Sequence, residues 1–181
     1  MSPIRFAAPD GSLRIVRSAQ RPDLEAICQI ERAANMSPWT QGDFEDYLAG
    51  GMDGPIVLVC CRESSYPDAF AVGREISDEF EILSIAVAPE EQGKGVGLIL
   101  MMSLLRWAKS RGIARWILEV REGNTVARKL YASCGFFETG KRHGYYADTN
   151  EAAILMTGES PVPWEVRQEM HCFRGVKLFN Q

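Results

Sequence analysis

The sequence predicts an α/β protein of the α+β kind, a mixed and mostly antiparallel sheet flanked by helices. Three observations predict it. Strand-like runs at 56–62, 69–76 and 80–87 follow one another across short connectors, which makes an antiparallel meander. A glycine-rich turn then leads straight into an apolar helix, and strand and helix patterns alternate from there to residue 157.

Taken in order, residues 1–11 carry Pro3, Pro9 and Gly11 without periodicity and read as a loose end. Residues 13–17 alternate as a short strand. Pro22 suits the first turn of a helix whose apolar positions Leu24, Ile27, Cys28, Ile30 and Ala34 fall at helical spacing; Asn35 and Pro38 close it. A second helix, about 40–48, opens on Thr40 as N-cap with Asp43 three residues on. After the meander, the helix at 98–111 carries Leu100, Leu104, Trp107 and Ala108 on one face and stops at Gly112. Residues 116–121 form the next strand. Asn124 caps a helix with Ala127, Leu130, Tyr131 and Cys134 on one face, and two strands, 136–142 and 152–157, make a final hairpin across residues 147–150.

At 181 residues and 46% hydrophobic content the chain holds one well-buried core, read here as a domain over 12–157 with an extension over 158–181. Five cysteines without a C-x-x-C motif suit a reducing cytoplasm. No run reaches the roughly 18–20 apolar residues that a bilayer span needs, so no membrane role is expected. A net charge of −4 argues against a general nucleic-acid binder and tolerates a basic peptide partner. With His143 and His171 as its only histidines, the chain gives no reason to expect a metal site.

The chemistry starts at the glycine turn, Gln92, Gly93, Lys94, Gly95, Val96 and Gly97. Glycines let backbone N–H groups approach a ligand, and the first-turn N–H groups of a helix lack intrahelical partners, so the stretch is fit to cradle a pyrophosphate. It is not a P-loop, because Lys94 is followed by glycine and no hydroxyl residue stands where a magnesium ligand is needed. Nor is it the dinucleotide pattern, because the glycines are spaced G-x-G-x-G and an antiparallel meander precedes them. What it matches is Q-x-x-G-x-G, directly after a strand ending in Val87, Ala88 and Pro89.

That loop resembles the acetyl-coenzyme A loop of the GNAT superfamily of N-acetyltransferases, and the order of elements over residues 13–156 is similar to the GNAT fold. Further motifs carry the likeness: Ser37-Pro38-Trp39, Leu118-Glu119-Val120-Arg121 with Asn124, Leu130-Tyr131-Ala132-Ser133-Cys134-Gly135-Phe136, and Tyr145-Tyr146 ahead of Ala153-Ile154-Leu155-Met156. Within the superfamily they look closest to the branch that acetylates the N-terminal alanine of a small-subunit ribosomal protein.

The resemblance implies acetyl-CoA as co-substrate, with Ile85, Ala86, Val87, the loop Gln92 to Gly97, and Asn124 on the cofactor and the Val87 N–H as an oxyanion donor. It implies Glu119 as general base, direct or through water, and Tyr131 as the acid that protonates the leaving thiolate. By residue type alone Glu119 could pair with Arg121 or a neighbouring strand, Tyr131 could be core, and Asn124 could only cap. Lys94, Arg128 and Lys129 are candidates for the cofactor's phosphates, and Trp39, Tyr145 and Tyr146 for a peptide groove. The acidic group Glu75, Asp78, Glu79 and Glu81 reads as a solvated hairpin face.

An α-amine, with a pKa of about 7.7–8.0, is partly neutral near pH 7, whereas a lysine near 10.4 needs about 3.5 kcal/mol more help, which favours a protein N-terminal peptide for a single carboxylate base. A small-molecule amine, a lysine, and a non-catalytic acyl-CoA binder remain alternatives, and the chain is expected to act as monomer or homodimer. Three departures stand out: Glu151 is followed by Ala152 where the family has an aspartate; the residues after 157, with Pro161, Pro163, Trp164, Met170 and Phe173, run past the usual end; and Ser64 to Asp68 make a longer connector than a tight hairpin.

Overall fold

The structure, a computed structural model, describes residues 2–35, 38–50, 54–62, 66–160, 172–173 and 176–179, with side chains through Ser160. In chain order the strands and helices are β1 (Ile4–Ala7), β2 (Leu13–Ser18), α1 (Leu24–Ala34), α2 (Gln41–Ala49), β3 (Ile56–Arg62), β4 (Ala69–Ile76), β5 (Glu79–Val87), α3 (Val96–Ser110), β6 (Arg115–Arg121), α4 (Thr125–Ser133), β7 (Phe137–Tyr146), β8 (Glu151–Glu159), β9 (Cys172–Phe173) and β10 (Val176–Phe179). All ten strands of the described residues belong to one sheet, ordered β7-β8-β6-β5-β4-β3-β2-β1-β10-β9. Every neighbouring pair is antiparallel except β5 and β6, which α3 joins as a parallel crossover.

Helices cover both faces, so the central strands are apolar on both. In β3, Leu58 and Cys60 pack into one core with Ile99, Met101 and Leu104 of α3 and with Trp116, Leu118 and Val120 of β6. Val57 and Val59 point the other way, into a second core with Leu24 and Ile27 of α1, Phe44 of α2, and Phe70 and Val72 of β4. Helix α2 begins as its residues dictate: Thr40 Oγ1 accepts from the Asp43 N–H while the Asp43 carboxylate accepts from the Thr40 N–H, a reciprocal capping box.

The stretch expected as a loose end holds a strand. Ile4–Ala7 pairs with β2 on one side and with β10 on the other, and Phe6 is fully buried. A four-residue strand with one buried side chain is too short to display a period. The tail likewise contributes β9 and β10 to the far edge of the sheet; Pro161, Pro163, Trp164 and Met170 lie outside the described residues, as do Ser37 and the connector residues Ser64 and Ser65.

One irregularity positions the site. Between β4 and β5, Gly73 faces Ile82 and Val72 faces Ser84, so Leu83 is an extra residue, a β-bulge. The parallel pairing of β5 with β6 runs from Glu79 to Ile82 and stops at that bulge. Gly73 stands at the bulge, where the Phe80 ring lies so close that a Cβ would collide with it. Beyond it, β5 stays with β4 to Val87 while β6 departs, and the sheet opens between Leu83–Val87 and Glu119–Arg121.

Candidate active site

On the open edge of β5, hydrogen-bond alternation decides which groups are available. The Ala88 N–H donates to the Asp68 carbonyl, so Ala88 faces Asp68 as a hydrogen-bonded pair. Alternation then turns the N–H and C=O of Val87 and Ile85 away from β4 and into the opening, and commits those of Ala86 to Phe70. Gln92 Nε2 donates to the Val87 carbonyl at 3.1 Å, which leaves the Val87 N–H facing the opening.

The glycine loop follows. Gly93 and Gly95 have φ of +75° and +81°, a region that glycine enters without strain, and Gly95 is the N-cap of α3 with no side-chain cap. Around Gly93 a Cβ would meet nothing within 4 Å, so the loop is open as well as bare. Helix α3 begins at Val96, two residues inside the loop, so its first-turn N–H groups are those of Val96, Gly97 and Leu98. At Gly97 a Cβ would meet Leu130 of α4 at 3.4 Å, so the loop packs closely on that helix. A pyrophosphate fits such a cradle on shape and on dipole.

A cavity of about 210 Å³ occupies the opening, lined by Leu83, Ser84 and Ile85 of β5, Glu119, Val120 and Arg121 of β6, Asn124 and Tyr131 at α4, and Glu31, Asn35, Trp39 and Tyr146. Ile85, Glu119, Asn124 and Tyr131 thus come together here, while Ala86, Val87 and the loop from Gln92 to Gly97 continue the same edge beyond it. A larger cavity, about 570 Å³, opens beside α1 between Glu25, Tyr66 and Glu90 and contains none of these groups.

Glu119 shares its face of β6 with Ile117 and Arg121, opposite the buried Trp116, Leu118 and Val120. Its partner is not Arg121. Arg142 Nη1 of β7 lies 2.7 Å from Glu119 Oε1, and the Tyr145 phenol hydrogen-bonds to the same carboxylate, which pushes Tyr145 upward in pKa. Arg121 instead forms an ion pair with Asp148 at 2.7 Å and one with Glu151 at 3.6 Å, and sits over the Tyr146 ring. Tyr131 is buried against Phe136, and burial pushes its phenol above the ordinary range, so it keeps its proton at neutral pH. Asn124 caps α4, its Oδ1 accepting from the Ala127 N–H at 3.0 Å, and borders the cavity as well.

The phosphate candidates fare unequally. Lys94 turns back to Glu91 at 3.1 Å, a carboxylate that also holds Arg62 and the fully buried Arg14. Arg128 is engaged with Glu138 and the Glu122 carbonyl, and Lys129 borders a separate groove with Phe136 and Phe137. The acidic hairpin face is matched by arginines: Glu75 by Arg111, Glu79 by Arg115, and Glu81 by Arg74.

Glu31 is the group that the sequence pattern hid. Its carboxylate accepts from the Trp39 N–H at 3.1 Å and from Asn35 Nδ2, which ties α1 to the segment leading into α2 and places Trp39 on the cavity. Burial pushes its pKa up, against those two hydrogen bonds. The signal was present, because Leu24, Ile27, Cys28 and Glu31 fall on one helical stripe, and an acid on an apolar stripe is a buried acid.

A splayed strand pair, a bare helix start beside it, and a carboxylate and a phenol on one cavity define a group-transfer enzyme with an anionic cofactor. The model of the Acetyltransferase (GNAT) family matches residues 24–136. The ribosomal protein bS18-alanine N-acetyltransferase of Escherichia coli is 33% identical over 146 residues, covering 80% of this chain and 96% of that protein. The enzyme of the same name from Haemophilus ducreyi is 30% identical over 145 residues, covering 78% and 97%. Among solved structures, the Escherichia coli ribosomal-protein-S18-alanine N-acetyltransferase superposes with a TM-score of 0.73 at 32% identity, covering 81% of this chain and 93% of that one. Ard1 of Thermoplasma volcanium superposes at 0.74 with 26% identity, covering 81% and 97%. The chain belongs to the GNAT family of acetyltransferases, enzymes that take the acetyl group from acetyl-CoA.

Proposed function

We propose that this chain acetylates the N-terminal α-amine of a protein, with a ribosomal protein beginning in alanine as the favoured acceptor. The observation that carries it is the meeting of Glu119, Tyr131, Trp39 and Tyr146 on one cavity at the mouth of the β5–β6 opening. The relatives whose names specify a ribosomal alanine support the acceptor class.

When bound, acetyl-CoA supplies an activated thioester. The first-turn N–H groups of α3, with Gln92 to Gly97, hold its diphosphate, and the inward-facing backbone of Ile85 and Val87 aligns its arm, with Ala86 spacing them. The Val87 N–H donates to the carbonyl oxygen that gains negative charge. Glu119 removes a proton from the acceptor's ammonium, directly or through a water. Tyr131, a phenol that holds its proton at neutral pH, gives that proton to the leaving thiolate, and Asn124 caps the start of α4, the helix that carries Tyr131. No helix of the described residues is long and apolar enough to cross a membrane, and the work is assigned to the cytoplasm. The catalytic unit is assigned to residues 12–157, with 158–181 as an extension.

Mass spectrometry after incubation with acetyl-CoA tests this against three acceptors: a peptide beginning with alanine, a blocked peptide with an internal lysine, and a polyamine. Acetylation of the first supports the proposal, and preference for either of the others replaces it.

A further inference from the structure

We propose that Arg142 is a positioning residue that stands at Glu119 in place of the acceptor's ammonium and is displaced when the acceptor enters. This rests on Glu119 being the base. The contact is not a neighbour's: Arg142 lies on β7 and Glu119 on β6, with β8 between them. In register, Arg142 and Arg121 both face Ala153 of β8, while Glu119 faces Leu155. The arginine therefore crosses an intervening strand at an alanine, whose single methyl leaves the room, to put Nη1 2.7 Å from Glu119 Oε1.

What separates a stand-in from a fixed brace is the ease of leaving. Arg142 is 55% exposed at its side chain, on a strand that is exposed along nearly its whole length, and departure takes its guanidinium into water. Arg121, 19% exposed and bound to Asp148, Glu151 and the Tyr146 ring, has no such freedom. An ion pair as exposed as that of Arg142 is worth about 0–1 kcal/mol, small enough for an incoming cation to replace. Arg142 also lies over the Tyr145 ring, but at 5.7 Å from the centroid against 3.8 Å for Arg121 over Tyr146, a looser hold; the Tyr145 phenol, hydrogen-bonded to the same Glu119 carboxylate, is the group left to aim it once the guanidinium leaves. An α-ammonium and a guanidinium satisfy the same oxygen with the same charge, so each turnover exchanges one for the other.

The test is steady-state kinetics on a peptide beginning with alanine, comparing wild type with Arg142→Gln and Arg142→Lys. If Arg142 is the competitor, Arg142→Gln lowers the peptide KM about two- to fivefold, the size of an exposed ion pair, with the acetyl-CoA KM unchanged. Arg142→Lys, which restores the charge, returns the peptide KM toward wild type. A peptide KM in Arg142→Gln that is unchanged or raised, or a lysine variant that behaves like the glutamine one, overturns the inference. The two layers separate cleanly: full activity in Glu119→Gln removes the base assignment, whereas a crippled Glu119→Gln with no KM change in Arg142→Gln removes only the stand-in.

Discussion

The guanidinium of Arg121 sits over the ring of Tyr146 at 3.8 Å from the centroid, while its nitrogens hold Asp148 in the β7–β8 turn. Arg121 thereby ties the hairpin that carries Tyr145 and Tyr146 to the strand that carries Glu119. Stacking and a bidentate carboxylate together are worth roughly 1–3 kcal/mol. Arg121→Ala should raise the acceptor KM by about tenfold or more and leave the acetyl-CoA KM alone, as measured by varying each substrate in turn.

Gly95 at φ +81° caps α3 with nothing but its backbone. Gly95→Glu adds strain of about 1–2 kcal/mol from the left-handed conformation and sets a carboxylate at the anion cradle. Titration calorimetry with coenzyme A should show heat for wild type and none for the variant, while the melting temperature falls only by a few degrees.

Tyr131 is buried and holds its proton. Tyr131→Phe keeps the ring and the packing on Phe136 and removes the hydroxyl proposed as the acid. A fall in kcat of about a hundredfold or more, with coenzyme A affinity retained, is the expected split.

Asp23 accepts two bonds from Arg17 and one from the Gln20 N–H, and the Arg17 bonds, opposed by burial, hold its carboxyl below the usual range. A carboxyl lowered on folding contributes stability above its unfolded pKa, about 3.9, and loses it as the pH falls through the folded value. Thermal melts between neutral pH and about pH 2 should show that loss in wild type and a shallower acid limb in Asp23→Asn.

How much of this was legible in the sequence depended on how local the cause was. The bounds of β3 and β4 followed from apolar runs ended by turn residues, and α2 from Thr40 and Asp43 three apart. Strand β7 runs to Tyr146, past residue 142, because register shifts around Gly140 and Gly144 read as turn chemistry in one dimension. The Glu119–Arg142 pair was invisible for a different reason: a contact that skips a strand has no period and no spacing. The same holds for β1 on β10, which joins the two ends of the chain. The glycine loop, Glu119 and Tyr131 were legible as a motif and Glu31 as an acid on an apolar helical stripe, whereas the bonds of Glu31 to Trp39 and Asn35 and the bulge at Leu83 depend on contacts that only the folded chain supplies.

The central claim is that Glu119 takes the proton from an acceptor α-ammonium, and initial rates against pH for wild type and Glu119→Gln, on one peptide beginning with alanine, test it most directly. Below about pH 7.7 that amine is mostly protonated, so the base matters most there. The account predicts a wild-type to variant ratio that is large at acidic pH and shrinks as the pH rises and the amine deprotonates unaided. A ratio that stays constant across the range contradicts it.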